Sequence, residues 1–326
     1  MISIALAVYN GGNYIRNQLE SYKNQVRKPD ELVVSDDAST DDTISIVKNF
    51  AESSPFKIKI LNNKNRLGMT KNFERAIQGC SGDIIFLSDH DDVWHKDKIL
   101  KLASSLENNS KAALVHCNAY IVNENLKDTG NKLWESFWFS KREQQKVKSG
   151  KAFDVYLKHS VAAGMSMAFK SSLLDAILPI PHIHSIHDVW IALIAAAIAD
   201  VNIIDDPLLY YRVHNDNQSV GINKRSLKEQ FYIAKKQAKD NTFENLESLY
   251  QLLLERLFFL SKSGDYHISN YILSKVKDRL THAKFRNNIS KTKGFKAFTM
   301  IPEIINGNYF RFSYGMKSIS QDLILR

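Results

Sequence analysis

The chain has 326 residues, of which 44% are hydrophobic and 24% are charged. This balance is typical of a folded globular protein and excludes a disordered or collagen-like chain. No uncharged apolar run reaches the 18 residues that a membrane-spanning helix needs. Because the chain has two cysteines and no basic, apolar leader at its start, we expect a cytoplasmic protein without a disulfide framework.

The net charge of +9 is unevenly distributed. Residues 1–223 contain 25 basic and 26 acidic side chains, whereas residues 224–326 contain 19 basic and 9 acidic ones. A basic region of this kind suits a polyanion, such as nucleic acid, an anionic membrane surface or a phosphate-bearing substrate. The alternative is a basic surface that is only solvated.

The first hundred residues alternate short apolar runs with amphipathic segments. The apolar runs predict strands at residues 2–9, 31–35, 57–61 and 84–87. The segments between them predict helices that begin near residues 15, 44 and 72. This alternation favours an α/β fold in which helices flank a mixed, mainly parallel sheet.

The rest of the chain divides into two parts by pattern. Residues 112–116 and 119–122 predict strands, residues 136–151 predict a mobile loop, and residues 161–169 are expected to line a binding surface. Residues 226–322 have helical spacing. We therefore expect an α/β domain at 1–223, with a nucleotide-binding part up to about 110 and an acceptor part after it, and a basic helical region at 224–326.

Polar side chains follow three of the predicted strands. Asn10 follows the first, Asp36 and Asp37 follow the second, and a dense acidic sequence at 88–94 follows the fourth. The carboxyl ends of parallel strands meet at one edge, so these residues predict one shared site. Three carboxylates within four residues repel one another unless a proton or a cation lies between them, and Mg²⁺ or Mn²⁺ suits such oxygen ligands. A solvated acidic turn is the alternative.

Six motifs in chain order resemble those of the family 2 glycosyltransferases, which are inverting enzymes of the GT-A fold. The motifs lie at residues 7–10, 33–41, 87–94, 164–169, 187–190 and 211–215. Within that family the chain resembles bacterial rhamnosyl- and hexosyltransferases that build O-antigen or capsule polysaccharide. No glycine-rich dinucleotide motif and no P-loop motif occurs, which agrees with this resemblance.

The resemblance implies a site for a UDP- or dTDP-sugar. The residues that it assigns to this donor are Ala7, Tyr9, Asp37, Lys71, Asp89, Arg212 and His214. Asp37 would accept a hydrogen bond from the base or the ribose, and the planar fork of Arg212 suits phosphate oxygens. For Lys71 a solvated lysine at a helix start is the alternative, and for Arg212 an ion pair with Asp205 or Asp206.

The resemblance also implies a divalent metal, Mn²⁺ or Mg²⁺, held by Asp91 and His214. Asp92 would lie behind these ligands as a hydrogen-bond acceptor. The metal would neutralise the nucleoside diphosphate as it leaves.

Asp188 is the candidate general base. An inverting transfer needs a carboxylate on the far side of the anomeric carbon from the leaving group, and the helix that begins at Asp188 favours the ionised form. The alternative is that Asp188 only caps this helix. His187 stands where many relatives have Glu, so that its role on the acceptor side is open. Trp94 and Trp190 are expected either to stack on sugars or to pack in the core.

The basic C-terminal region interleaves cations with aromatic side chains, as helices at a membrane surface do. The aromatic residues are Phe285, Phe295, Phe298, Tyr309, Phe310, Phe312 and Tyr314. The resemblance implies a saccharide acceptor on a polyprenyl diphosphate, so we expect peripheral association with the inner face of the plasma membrane. One alternative function is that of a sugar nucleotidyltransferase, but the turn at 10–14 lacks the basic residue that its phosphate-binding loop would normally have. The other is nucleic-acid binding through the basic region, which leaves the acidic motifs unexplained.

Overall fold

The computed structural model describes residues 1–183, 186–214, 242–292 and 296–324. The chain forms two compact units. The first contains the residues up to Ala152 and the segment that starts at Val161, and the second contains Phe153–Ser160 and the C-terminal helices. Among the residues that the structure describes, no helix is both long and apolar enough to cross a bilayer.

The described residues of the first unit form a nine-stranded mixed sheet in the order β3-β2-β1-β4-β8-β6-β9-β5, with β7 paired to β6. Its strands are β1 (Ile2–Val8), β2 (Glu31–Asp36), β3 (Lys57–Asn62), β4 (Ile84–Asp89), β5 (Val93–Trp94), β6 (Ala112–Asn123), β7 (Asp128–Lys132), β8 (Met167–Lys170) and β9 (Asp200–Val213). β3, β2, β1 and β4 are parallel to one another, and β6 is parallel to β9. The expected mixed α/β architecture is confirmed.

Helices alternate with the strands along this part of the chain. They are α1 (Ile15–Lys23), α2 (Thr43–Ala51), α3 (Met69–Gly79), α4 (Lys98–Glu107), α5 (Leu133–Ser136), α6 (Lys141–Lys148), α7 (Ala152–Lys158), α8 (Leu174–Ile177) and α9 (His187–Ile198). Of these, α7 lies almost entirely in the segment that belongs to the second unit. All seven residues of β1 are buried, because the sheet is covered on both faces.

Two local predictions were wrong. The strands expected at 112–116 and 119–122 are one strand, β6, whose pairing with β9 shifts register around Asn118 instead of ending there. The loop expected at 136–151 contains α6, which begins in a capping box: Ser140 accepts a hydrogen bond from the backbone N–H of Glu143, and the Glu143 side chain bonds back to Ser140. This box stabilises a helix that is too polar to show an apolar stripe.

The second unit is helical, as expected for the described part of the C-terminal region. Its helices are α10 (Thr242–Ser263), α11 (Asn270–Lys291), α12 (Ala297–Ile305), α13 (Asn308–Phe312) and α14 (Met316–Ile324). Residues 226–241, which were also expected to be helical, lie outside the described residues. Arg279 Nε donates to the carbonyl of Leu157 at 3.1 Å, which fastens α7 to this unit and places the segment 153–160 outside the α/β part.

Candidate active site

The predicted site residues meet at one edge of the sheet. β1 lies between β2 and β4, with Val8 opposite Asp36 and Ala7 opposite Asp89. Asp37 follows directly, and its N–H donates to the carbonyl of Val8 at 2.9 Å. The sequence pattern of polar residues after apolar strands therefore located this edge correctly.

Two glycines let the loops at this edge approach closely. A Cβ on Gly11 would lie 2.3 Å from the imidazole of His90, and a Cβ on Gly12 would lie 2.0 Å from Asp42 Oδ1. A larger residue at either position would displace these side chains. The turn after β1 is thus packed directly against the acidic loop after β4.

Asp37 organises the loop before α3. Its carboxylate accepts hydrogen bonds from the backbone N–H groups of Leu67 at 2.5 Å and Gly68 at 3.0 Å. The loop in turn holds the guanidinium of Arg66 3.9 Å above the ring of Tyr9. Asp37 is buried and bonded to the protein backbone, so its predicted hydrogen bond to the nucleotide stays a prediction, and Arg66 is a neighbour that the sequence did not indicate.

Lys71 is not the solvated lysine that was the alternative prediction. Its Nζ lies 2.9 Å from the Glu74 carboxylate and donates to the carbonyl of Ile180 at 2.7 Å. Glu74 also accepts from the N–H of Ile180 at 2.5 Å, and Thr70 Oγ1 donates to the carbonyl of Ile183 at 2.8 Å. The first turns of α3 therefore hold the segment that leads to Asp188, while the predicted contact of Lys71 with the nucleotide stays a prediction.

The three carboxylates after β4 have different environments. Burial, followed by the charges of Asp91 and Asp188, raises the pKa of Asp89 to about 8. Burial and the charges of Asp91 and Asp89 raise the pKa of Asp92 well above its usual range. Asp92 Oδ1 accepts from the N–H of Arg212 at 3.1 Å, and its Oδ2 has no hydrogen-bond partner among the described residues.

Asp91 and His214 form a close pair. His214 Nε2 lies 2.9 Å from Asp91 Oδ2, and the His214 ring lies 4.6 Å from the ring of Tyr14. Burial works to raise the pKa of Asp91, but the hydrogen bond with His214 and the charge of His90 lower it overall. A carboxylate oxygen and an imidazole nitrogen at this distance are the two donor types expected of the predicted metal site.

The metal site stays a prediction. Among the described residues, no group of three or more His, Cys, Asp or Glu side chains is arranged to hold a metal ion. Asp91 and His214 are the pair that would hold the predicted cation.

Arg212 lies beneath the acidic loop and is almost fully buried. Its Nε donates to the carbonyl of Asp91 at 2.7 Å, and its Nη1 donates to the carbonyl of Glu124 at 2.5 Å. The alternative ion pairs were wrong, because Asp205 and Asp206 pair with other residues, Lys148 and Lys101. Arg212 thereby fixes the loop that carries Asp91, and its predicted phosphate contact stays a prediction.

Asp188 lies in the first turn of α9 and faces the acidic cluster. Its Oδ2 accepts from the N–H of Gly164 at 3.3 Å, and its Oδ1 accepts from the N–H of Val189 at 2.7 Å. Its charge contributes to the raised pKa of Asp89, after burial and the charge of Asp91, as expected of a carboxylate nearby. Asp188 does not cap the helix, since the N-cap position is Ile186.

Three residues predicted for the acceptor side or the second layer of the site lie in the core. The imidazole of His187 stacks on Phe73 with ring centres 4.0 Å apart, and burial lowers its pKa. Trp190 Nε1 donates to the carbonyl of Ile177 at 2.8 Å. Trp94 packs edge-on against Tyr22. Both tryptophans are buried, so of the two alternatives that the sequence left open, the structure shows core packing for both.

Lys98 is a residue of the site that the sequence analysis missed. It is fully buried in the first turn of α4, where its Nζ donates to the carbonyl of Met165 at 2.6 Å and lies 3.5 Å from the centre of the Trp94 ring. Burial lowers the pKa of Lys98 to about 7, against the raising effect of Asp92 and other neighbours. No periodic pattern marks a buried lysine, so only the fold reveals it.

Comparison with known proteins identifies related sequences. The family model described as "Glycosyl transferase family 2" matches residues 3–173. The dTDP-rhamnosyl transferase RfbG of Shigella flexneri is 42% identical over 98 residues, which are 29% of this chain and 34% of that protein. The UDP-Glc:alpha-D-GlcNAc-diphosphoundecaprenol beta-1,3-glucosyltransferase WfgD of Escherichia coli is 31% identical over 126 residues, 38% of this chain and 48% of that protein. The chain thus spans less than half of each.

Solved structures share the fold at low sequence identity. S. aureus TarS 1–349 in complex with UDP-GlcNAc superimposes with a TM-score of 0.60 and 16% identity, over 91% of this chain and 77% of that one. The mannosyltransferase PcManGT of Pyrobaculum calidifontis, in complex with GDP-Man and Mn²⁺, gives 0.54 and 17%, over 99% of this chain and 85% of that one. The mixed sheet and its helices are therefore an arrangement that solved structures also adopt.

Proposed function

Since the chain belongs to glycosyl transferase family 2 and is thus a glycosyltransferase, we propose that it transfers a sugar from a UDP- or dTDP-sugar with inversion at the anomeric carbon. The proposed acceptor is a hydroxyl of a saccharide on a polyprenyl diphosphate. The reaction would serve bacterial surface polysaccharide synthesis at the cytoplasmic face of the plasma membrane. The cofactor would be Mn²⁺ or Mg²⁺.

The names of the two relatives support the donor and acceptor classes. RfbG is named for a dTDP-rhamnosyl donor, and WfgD is named for UDP-glucose and for an acceptor on diphosphoundecaprenol. Both donors carry a pyrimidine base. Ala7 and Tyr9 are the residues proposed to contact that base, and the guanidinium of Arg66 lies 3.9 Å above the Tyr9 ring.

One observation carries the proposed mechanism: Asp188 faces the carboxylates at the end of β4 from a separate element, α9. In the proposed reaction Asp188 takes the proton of the acceptor hydroxyl. The acceptor oxygen forms a bond to the anomeric carbon while the bond from that carbon to the diphosphate oxygen breaks. The electron pair of the broken bond leaves with the nucleoside diphosphate. The N–H of Gly164 keeps the Asp188 carboxylate oriented.

In this proposal the diphosphate of the donor lies next to Asp91. Asp91 and His214 would hold the divalent cation, whose charge stabilises the leaving diphosphate when it is bound. Arg212 holds the backbone of Asp91 in place. Asp89 would lie near the ribose, between this side and Asp188.

The test is release of UDP or dTDP from a panel of nucleotide sugars, with Mn²⁺, Mg²⁺ or EDTA. We expect metal-dependent release from one donor and a loss of at least about 100-fold in Asp91→Asn, because the leaving charge is no longer stabilised. In transfer assays Asp188→Asn should lower kcat by about 10² to 10⁴ while the KM for the donor changes little. Asp205→Asn, an exposed carboxylate of the same unit, is the matched control.

Two outcomes would contradict the proposal. Full transfer by Asp188→Asn would mean that another group is the base. If calorimetry detects no binding of UDP or dTDP in the presence of either metal, the donor assignment fails.

A further inference from the structure

The last three helices of the second unit leave a set of large apolar side chains exposed. Phe298 and Ile305 on α12 are 74% and 77% exposed, and Ile301 between them is 44% exposed. At 100° per residue these three fall within an arc of about 60°. Phe310 on α13 and Met316 on α14 are 53% and 65% exposed. We call the three residues on α12 the apolar face.

The apolar face is distinct from the core of the same helices. Met300, which lies roughly opposite Phe298 and Ile305 on α12, is fully buried with Tyr309 and Ile319. Of the aromatic residues that the sequence grouped together, Tyr309 and Phe312 pack inside, whereas Phe298 and Phe310 lie outside. Because the core already has its own apolar residues, the exposed ones are not needed to close this unit.

Within the segment that carries the apolar face, neither acidic side chain is exposed. Between residues 284 and 324 the acidic side chains are Glu303 and Asp322. Glu303 lies 2.6 Å from His282 and is 12% exposed, and Asp322 lies 2.6 Å from Arg286 and is 1% exposed. Among the described residues of this segment, the exposed charged side chains are Lys284, Lys291, Arg311 and Lys317.

Two of these cations make weak pairs with other helices. Lys291 lies 3.7 Å from Glu244, and Arg311 lies 3.4 Å from Asp278. Each of these partners is about half exposed, and pairs of this kind contribute little in water. The cations remain accessible to an anionic surface.

We propose that the apolar face of α12 docks on the surface of an anionic phospholipid bilayer. The apolar side chains enter the boundary between headgroups and acyl chains, and the surrounding cations meet the phosphates. Charge complementarity favours this occupant over a second copy of the chain, because two identical cationic surfaces repel each other. The inference deepens the proposed location at the membrane and is independent of the proposed chemistry.

The test is sedimentation of the full chain with vesicles. Vesicles of phosphatidylglycerol and phosphatidylcholine in equal parts should bind it, and vesicles of phosphatidylcholine alone should bind it weakly. The variant Phe298→Ser/Ile305→Ser should lower binding to the anionic vesicles at least about tenfold, because two inserting side chains are lost. The matched control is Phe258→Ser/Phe259→Ser, which removes two exposed phenylalanines from α10 and should bind as the parent does.

Several results would overturn the proposal. The first is unchanged vesicle binding by the α12 variant, and the second is an equal loss of binding in the α10 control. The third is a change of oligomeric state in light scattering without a change in vesicle binding, which would assign the apolar face to a second copy of the chain. Loss of salt-dependent RNA or DNA binding alone would assign it to nucleic acid. Nucleotide-sugar hydrolysis without vesicles should be the same in all variants, so a failure here leaves the proposed activity standing.

Discussion

Neighbouring aspartates of the acidic loop differ because their surroundings differ. The hydrogen bond with His214 and the charge of His90 lower the pKa of Asp91 against the effect of burial, which favours the ionised form that its proposed role as a metal ligand needs. Burial raises the pKa of Asp92, whose contact with the Arg212 N–H holds the loop in place. Adjacent residues of one type can therefore differ in charge state and in role.

His116 gives a prediction about pH and stability. This residue is fully buried beside Trp134, and burial lowers its pKa to about 3. The folded state therefore binds fewer protons than the unfolded state, whose histidine has a pKa of about 6.5. The contribution of the neutral imidazole is complete above that value and is lost as the pH falls from 6.5 towards 3.

Between pH 7 and pH 5, His116 should account for about 2 kcal/mol of lost unfolding free energy. Urea unfolding followed by tryptophan fluorescence measures this change, and His116→Leu should reduce it by that amount. The control His182→Leu alters an exposed histidine of the same unit and should leave the pH dependence unchanged. An equal pH dependence in His116→Leu and the parent would contradict the assignment.

At the scale of elements, the sequence showed the strands better than the contacts between distant segments. β1 and β4 are apolar runs that the fold buries, so their positions and the polar residues at their ends could be predicted from the sequence. The contact of Lys71 with Ile180 joins residues 109 positions apart, and no local pattern records such a pairing. The burial of Trp94 and Trp190 depends in the same way on elements that only the fold brings together.

Lys98 shows how one element positions another. It begins α4 and bonds to the carbonyl of Met165, inside the turn whose Gly164 N–H holds the Asp188 carboxylate. A Cβ on Gly164 would lie 2.9 Å from His187 Nε2, so this turn has little room to shift. The chain of contacts from α4 to α9 therefore fixes the candidate base without any contact of Lys98 with substrate.

We expect Lys98→Met to lower kcat for transfer by about 10- to 100-fold while the donor KM changes less than about threefold. The stability should fall by about 1 to 3 kcal/mol, because the buried carbonyl of Met165 loses its hydrogen bond. Lys101→Met, on the exposed face of the same helix, should keep the parent kcat. A rise in donor KM with kcat intact would show instead that Lys98 serves donor binding.

For the whole molecule, the uneven charge follows the division into two units. The first unit is nearly neutral because its basic and acidic side chains are almost equal in number. The second unit concentrates basic residues, and it buries Asp322 in a polar network. Arg286 makes a bidentate pair with Asp322 at 2.6 and 2.8 Å, and Tyr309 also donates to Asp322. This network joins α11 to α13 and α14.

Arg286→Met should destabilise the second unit by about 3 to 5 kcal/mol, because it leaves Asp322 buried and without its cation. The double variant Arg286→Met/Asp322→Leu should recover most of this loss, since both charges are then absent. Lys284→Met, an exposed cation two residues away on α11, is the control and should behave as the parent does.

Two optical signals separate the units in this experiment. All four tryptophans, Trp94, Trp134, Trp138 and Trp190, belong to the first unit, so their fluorescence follows that unit alone. Circular dichroism at 222 nm follows the helices of both units. In urea, Arg286→Met should lose helical signal at a lower concentration than the parent while its fluorescence transition stays in place. If fluorescence and circular dichroism shift together, the two units unfold as one, and the ion pair then stabilises the whole chain.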